Sequence, residues 1–288
     1  MTFPEFLYTV LLRPAPLRKI TNRLICSALP ATVTTHGATI SINPNDPVIS
    51  GALFLNVYER ESIQFFQRHF SPGMTFVDVG ANVGLYTALA LSAGRPYGRI
   101  LCVEPHEESR RHLEKTVAIN TRGENPSSFL TVVPVAVGAT TGTVVLHSNS
   151  ENKGDNRIYN DRILDSEKKV VLSTLDALCS EAGISSIDLL KMDIQGAEFQ
   201  AIKGGEKILR KSSDCLLMTE FWAYGIRHAG DDPLAFLSFL EDLGFSLFGI
   251  VSGRLTKLDS SALLRETEGR VYKNIVCLKG RRKAIAGI

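Results

Sequence analysis

The sequence predicts an open α/β sheet with parallel strands at its centre, on three observations. Phe76, Val77 and Val79 form an apolar run, Gly80 and Gly84 punctuate it, and residues 85–91 continue without a breaker until Gly94. That order reads as buried strand, tight turn, helix. A second apolar run, residues 100–103, ends at Glu104, twenty residues past Gly84. This is the interval at which the second strand of a βαβ unit delivers an acid to a pair of ribose hydroxyls. Finally, Asp78, Glu104, Asp193 and Glu220 each fall at the carboxyl end of a different apolar run. In an open parallel sheet, ligands bind outside those ends.

The turn at Gly80 and Gly84 has its own chemistry. Glycine accepts positive φ and lets a ligand approach the backbone closely, and the helix that follows presents free N–H groups to whatever lies above it. The spacing is G-x-x-x-G, not the G-x-G-x-x-G of dinucleotide sites, and no G-K-[ST] follows, which excludes a phosphate-cradling loop of that kind.

Bulk properties bound the class. The chain has 288 residues, 44% of them apolar and 22% charged, enough for a full core and ordinary for a globular protein. A net charge of +2 supplies no field for nucleic acid. The five cysteines, Cys26, Cys102, Cys179, Cys215 and Cys277, are widely spaced with no C-x-x-C, the usage expected of a reducing, cytoplasmic setting. No apolar run is long enough to span a membrane.

The elements follow in order. Residues 1–30 carry an apolar stretch (Phe3, Phe6, Leu7, Leu11) followed by Arg13, Arg18, Lys19 and Arg23, with Pro14 and Pro16 breaking any long helix. Two readings stand: a basic amphipathic segment in peripheral contact with a membrane, or short helices packed on the catalytic domain or on a second subunit of a homodimer. Residues 32–50 alternate around His36-Gly37 as a β-hairpin, so 1–50 form an N-terminal extension and 51–288 one domain. Residues 51–70 read as a single helix with Ile63, Phe66 and Phe70 facing the core. A helix over 107–120 precedes a strand over 129–137 and a short strand over 143–147. Residues 148–168 are polar and rich in breakers, either a loop over a substrate mouth or a solvated hairpin. Thr174 starts a helix, 187–192 form a strand ending at Asp193, and Glu198 stands in the first turn of the next helix. Residues 216–219 form a strand ending at Glu220, with His228 in the loop beyond it. A helix over 233–243 and strands over 245–251 and 271–278 complete the sheet.

Asp78-Val-Gly-Ala-Asn-Val-Gly84, Val103-Glu-Pro105, Val135-Ala-Val-Gly138, Gly154-Asp-Asn-Arg-Ile158, Lys191-Met-Asp-Ile-Gln-Gly-Ala-Glu198 and Glu220-Phe221 occur in that order. Together they resemble the FkbM family of S-adenosylmethionine-dependent methyltransferases, from about residue 35 to about residue 280. Asn82 stands where broader class I methyltransferases usually have glycine and where the FkbM pattern has Asn. The resemblance implies a class I methyltransferase, Rossmann-like fold: seven mostly parallel strands with helices on both faces. It implies S-adenosylmethionine as cofactor and methyl transfer to a hydroxyl of a small molecule, sugar, glycan or natural product. The expected cofactor-binding residues are Glu59, Asp78, Gly80, Asn82, Gly84, Glu104 and Asp193. Glu59 would line the methionine end of the cofactor or stand as a solvated helix-start carboxylate.

A sulfonium donor is already activated, so a nucleophile held in line about 3 Å away does most of the work. A hydroxyl must still lose its proton to a carboxylate or histidine, or through a metal. The expected base is Asp193, assisted by Glu220 or His228, with no metal. The same acids could instead hold Mg²⁺, or Asp193 and Glu198 could only cap helix N–H groups. Two other functions compete: a nicotinamide-dependent oxidoreductase on a similar sheet, and a non-catalytic membrane-associated binding protein on the same fold.

Overall fold

A computed structural model describes residues 26–44, 46, 48–148, 155–159 and 166–287. The basic amphipathic stretch within 1–25 and most of the polar stretch 148–168 lie outside them.

The described chain opens with a hairpin, β1 (Thr32–Thr35) and β2 (Ala38–Ser41). His36 and Gly37 turn it at φ 50° and 83°, the left-handed pair that a two-residue hairpin loop needs. Two helices follow, α1 (Ile49–Phe54) and α2 (Arg60–His69). The single helix expected over 51–70 is therefore broken: Asn56 and Glu59 take φ of 54° and 37°, left-handed conformations that no α-helix continues through. Next come β3 (Phe76–Val79), α3 (Leu85–Ser92), β4 (Ile100–Val103) and α4 (Glu107–Asn120).

The strand expected over 129–137 divides into β5 (Leu130–Val133) and β6 (Val135–Val137). Pro134 lies between them and has no N–H for a ladder, so the chain leaves the main sheet there. β6 joins a separate three-stranded sheet with β7 (Gly142–Ser148) and β8 (Ser166–Ser173). Then follow α5 (Leu175–Glu181), capped by the Thr174 hydroxyl, β9 (Leu189–Met192), α6 (Glu198–Gly204), α7 (Glu206–Lys211) and β10 (Leu216–Phe221). Then come α8 (Ala223–His228), α9 (Pro233–Asp242), β11 (Ser246–Val251), β12 (Arg254–Lys257), α10 (Ser260–Glu266) and β13 (Lys273–Leu278), followed by a 3-10 helix over Gly280–Ala286. His228 is thus the last residue of a helix rather than part of a loop.

Among the described residues the main sheet has eight strands, in the order β12-β11-β13-β10-β9-β3-β4-β5. This corrects the expected seven. The added edge strand, β12, is a four-residue polar segment that pairs antiparallel with β11 and carries no apolar periodicity to announce it. The run β10-β9-β3-β4-β5 is parallel; β13 pairs antiparallel with β10, and β11 pairs antiparallel with β13, which returns it to the direction of the run. The architecture is that of a class I methyltransferase, a mostly parallel sheet with helices on both faces.

Strand alternation divides the core. Val77, Val79, Leu101, Val103, Leu190, Met192 and Leu217 pack on one face of the sheet with the helices after β6. Phe76, Ile100, Cys102, Leu189, Leu216 and Met218 face the opposite side, with α2, α3 and α4. There Phe66 meets Phe70, Phe76 and Tyr86 at ring-centroid distances of 5.2–5.3 Å. The same parity, continued toward the carboxyl ends, puts Asp78, Lys191 and Glu220 on this second face. One face is thus apolar at its base and ionisable at its rim. The N-terminal hairpin closes over that face: Ser41 N–H donates to Thr116 Oγ1, and Asn120 bridges to Thr39.

Candidate active site

A cavity of about 410 Å³ opens at the carboxyl ends of β3, β4, β9 and β10. The volume lies in the range of small-molecule and cofactor sites. Of the expected cofactor residues, Glu59, Asp78, Gly80, Asn82, Glu104 and Asp193 line it, together with Glu220.

The turn after β3 is built by close approach. Gly80 has φ 78°, and a Cβ there would lie 2.0 Å from the Asp193 carbonyl oxygen. Only glycine lets the two strand ends meet. Gly84 is not among the residues lining the cavity. It takes φ 87°, and a Cβ there would lie 2.7 Å from Leu113 Cδ1, so its service is to seat α3 against α4. Asn82, at φ 48°, lines the cavity, and its side-chain carbonyl oxygen is buried without a hydrogen-bond partner among the described residues.

The acids are individually held. Asp78 accepts from Thr87 Oγ1 at 2.7 Å, and burial pushes its carboxyl up to about 6. Glu104 accepts the N–H of Asn82 at 2.9 Å on one oxygen and that of His106 at 2.7 Å on the other. Each of its oxygens keeps a lone pair for a ligand, and burial pushes it up to about 7. Glu59 is reached by Tyr86 Oη at 2.7 Å and Asn274 Nδ2 at 3.0 Å. It is therefore a cavity residue clamped at a strained backbone position, not a solvated helix-start carboxylate.

Beyond β9, Asp193, Glu198 and Glu220 each offer an oxygen within 4.8 Å of the others. Both Glu198 oxygens accept backbone N–H groups, from Ile194 at 3.0 Å and Gly196 at 2.9 Å. Its role is to pin the turn between β9 and α6, and of the three only Asp193 and Glu220 lie open to the cavity. Asp193 accepts from Gln195 Nε2 at 2.9 Å and from no backbone N–H among the described residues, so it is not a helix cap. Burial first, then the neighbouring Asp193 and Glu198 carboxylates, push Glu220 well above the usual carboxylate range. His228 is not brought to this site: its ring stacks on Tyr224 at 3.9 Å, its Nδ1 faces the Tyr224 carbonyl at 2.8 Å, and it is not among the cavity's lining residues.

Residues 155–159 lie against the same mouth. Asn156 lines the cavity, Tyr159 Oη donates to the Gln195 carbonyl at 2.8 Å, and Arg157, paired with Asp155 at 2.6 Å, lies over the Trp222 ring at 4.8 Å.

Lys191 was legible as part of a motif but not as a site residue. It projects into the cavity at 4% exposure. Burial alone would lower its ammonium, but Glu59, Asp193, Asp78 and Glu220 outweigh that and hold it above its ordinary value. A lysine inside the otherwise apolar run 189–192 was the available signal.

Two expectations follow. Glu104→Ala should weaken binding of S-adenosylhomocysteine about ten- to a hundredfold, since charged acceptors contribute roughly 1.5–3 kcal/mol; unchanged affinity by isothermal titration would place the ribose elsewhere. The second concerns pH. Asp78 and Glu104 stand at about 6 and 7, above their ordinary 3.8 and 4.5. The folded state thus binds protons that the unfolded chain has released, and stability from this source is lost as pH rises through the folded values. The free protein should melt lower as pH rises from about 5 to about 8, while the stabilisation added by S-adenosylmethionine grows, because its cationic groups favour the ionised acids. Thermal melts with and without cofactor check both slopes; a cofactor shift that shrinks with pH would contradict the assignment.

Comparison with known proteins identifies the family. The family described as Methyltransferase FkbM domain matches residues 78–247. Over 213 residues the chain is 27% identical to a protein of Sinorhizobium fredii named 2-O-methyltransferase NoeI, covering 68% of this chain and 81% of that one. It is 26% identical over 197 residues to the AMB antimetabolite synthetase AmbE of Pseudomonas aeruginosa, covering 58% of this chain and 9% of that much larger one. Among solved structures, the methyltransferase FkbM from Methylobacillus flagellatus aligns with a TM-score of 0.45 at 16% identity, over 91% of this chain and 59% of that one. S-adenosylmethionine is the cofactor, and the match over more than half of the sequence shows that the chain belongs to the FkbM family of methyltransferases.

Proposed function

We propose that the protein transfers a methyl group from S-adenosylmethionine to a hydroxyl of a small molecule, sugar or glycan. The observation that carries this reading is the pair Asp193 and Glu220, two carboxylates open to one cavity at neighbouring strand ends. The similarity to a protein named a 2-O-methyltransferase supports oxygen as the acceptor atom.

The residues present fit the cofactor. Glu104 would take its ribose hydroxyls, the Gly80 turn and the Asn82 side chain its central part, and Glu59, Asp78 and Lys191 its amino-acid end. When bound, the cofactor supplies a methyl group already activated on a sulfonium. Asp193 positions the acceptor hydroxyl. Glu220 accepts the hydroxyl proton as the oxygen attacks; a carboxyl with a raised pKa is the stronger base once ionised, and a cation beside it favours that ionisation. The apolar wall from α1 (Ile49, Ala52, Leu53) excludes water from the reacting atoms.

Incubation with trideuteriomethyl-labelled S-adenosylmethionine and a panel of sugars, glycans and phenols, followed by mass spectrometry, tests the reading. A label on oxygen is the expected product. Transfer confined to amines or thiols would overturn the oxygen assignment, and binding of cofactor with no transfer to any class would favour the non-catalytic alternative.

A further inference from the structure

The cavity has an unusual charge inventory. Its lining holds five carboxylates, Glu59, Asp78, Glu104, Asp193 and Glu220, and among the described residues one cation, Lys191. Lys191 stands beside Asp78 in the β3–β9 register, on the sheet face that carries the other acids. Its ammonium is nearly fully buried, yet among the described residues it makes no hydrogen bond. Asp193 Oδ2 is 3.8 Å away, and the Tyr86 ring centroid lies at 5.1 Å. An ammonium has three donors, and burying them without acceptors is costly.

The sheet order places this cation relative to the rest of the site. Glu104 ends β4 on one side of β3, and Lys191 lies on β9 on the other. A ligand whose ribose meets Glu104 and whose middle crosses the Gly80 turn therefore presents its far end to Lys191, Asp78 and Glu59. For S-adenosylmethionine that far end is an amino acid, one ammonium and one carboxylate. The acids can receive the ammonium. A carboxylate would be repelled by those of the acids that are ionised, except where Lys191, the one cation lining the cavity among the described residues, offsets them.

We propose that Lys191 receives the methionine carboxylate of the cofactor, and so sets both the orientation of the amino-acid end and the requirement for an intact α-carboxylate. The proposal rests on the cofactor reading above. In it Lys191 acts on binding; the proton of the acceptor goes to a carboxylate, and the ammonium stays charged throughout.

Calorimetric titration of S-adenosylhomocysteine and of its decarboxylated analogue tests it. The wild type should bind the decarboxylated compound roughly ten- to a hundredfold more weakly, the size of one charge-assisted contact. Lys191→Met should bind both compounds with similar affinity, having lost the preference. Lys191→Arg keeps the charge and should keep the preference, and it serves if the Met variant fails to fold with four acids left facing it. Equal affinity of the wild type for the two compounds overturns the proposal, as does a folded Lys191→Met that still prefers the carboxylate, or an Arg variant that loses the preference while binding the decarboxylated compound normally. No binding of S-adenosylhomocysteine to the wild type would instead sink the cofactor reading, which keeps the two failures apart.

Discussion

Gly80→Ala should cost the protein its cofactor site and several degrees of melting temperature together. The added Cβ would lie 2.0 Å from the Asp193 carbonyl oxygen, 2.9 Å from its carbon and 3.0 Å from Ile194 Cγ2, at a residue with φ 78°. Both nearest atoms are backbone, so no side-chain rotation relieves the clash. A left-handed non-glycine residue costs about 1–2 kcal/mol, and overpacking adds roughly 1–3. Relief would have to come from parting β3 and β9, which displaces Asp193 itself. Binding of S-adenosylhomocysteine should fall below detection by calorimetry, and the melting temperature by about 5–10 °C. Gly84→Ala provides the contrast. Its Cβ would meet the tip of the Leu113 side chain at 2.7 Å, which can give way, so the variant should lose stability yet retain measurable binding. A Gly80→Ala protein that binds as the wild type does would show that the turn and the β9 end do not meet as described.

Glu220→Gln should lower turnover on the order of a hundredfold or more, the usual contribution of a positioned general base, while affinity for S-adenosylhomocysteine stays within a few fold. The acceptor found by the labelling assay serves as substrate. A base works when ionised, and burial together with Asp193 and Glu198 raises the Glu220 carboxyl well above its ordinary value. The wild-type rate should therefore climb with pH as Glu220 ionises, and the Gln variant should lose that climb. Asp193→Asn separates positioning from proton transfer: it should also cut turnover strongly but leave the rise with pH in place. If Asp193→Asn alone abolishes the rise, the two roles are exchanged. Full activity in both variants would refute the carboxylate pair, and loss of wild-type activity in EDTA with rescue by Mg²⁺ would move the same acids to a metal.

The motif from Asp78 to Gly84, the strand ending at Glu104 and the one ending at Asp193 were legible because each couples a short apolar run to a turn or an acid at a fixed interval. Such signals are local, and the structure keeps their positions. Less local features were hidden. The break between α1 and α2 rests on left-handed residues at Asn56 and Glu59 inside an apolar-periodic stretch. Its physical reason is distant: Tyr86 and Asn274 hold the Glu59 carboxylate from 27 and 215 residues away. The division of 129–137 could have been read from Pro134, whereas β12 offers no apolar pattern and exists because β11 supplies an edge to pair with.

Sequence alone determined the class of fold, the glycine turn after β3 and the acids at the strand ends, since periodicity, glycine spacing and strand termini are properties of neighbouring residues. Tertiary structure alone decided which of those groups share a site and in what state. It turned Glu198 onto the backbone N–H groups of Ile194 and Gly196, left His228 stacked on Tyr224 away from the cavity lining, and set Lys191, among the described residues, as the one ammonium in a cavity lined by five acids. The reason is that burial and charge proximity, which fix protonation and partnership, depend on distances across strands, and the order of those strands in space is not their order in the chain.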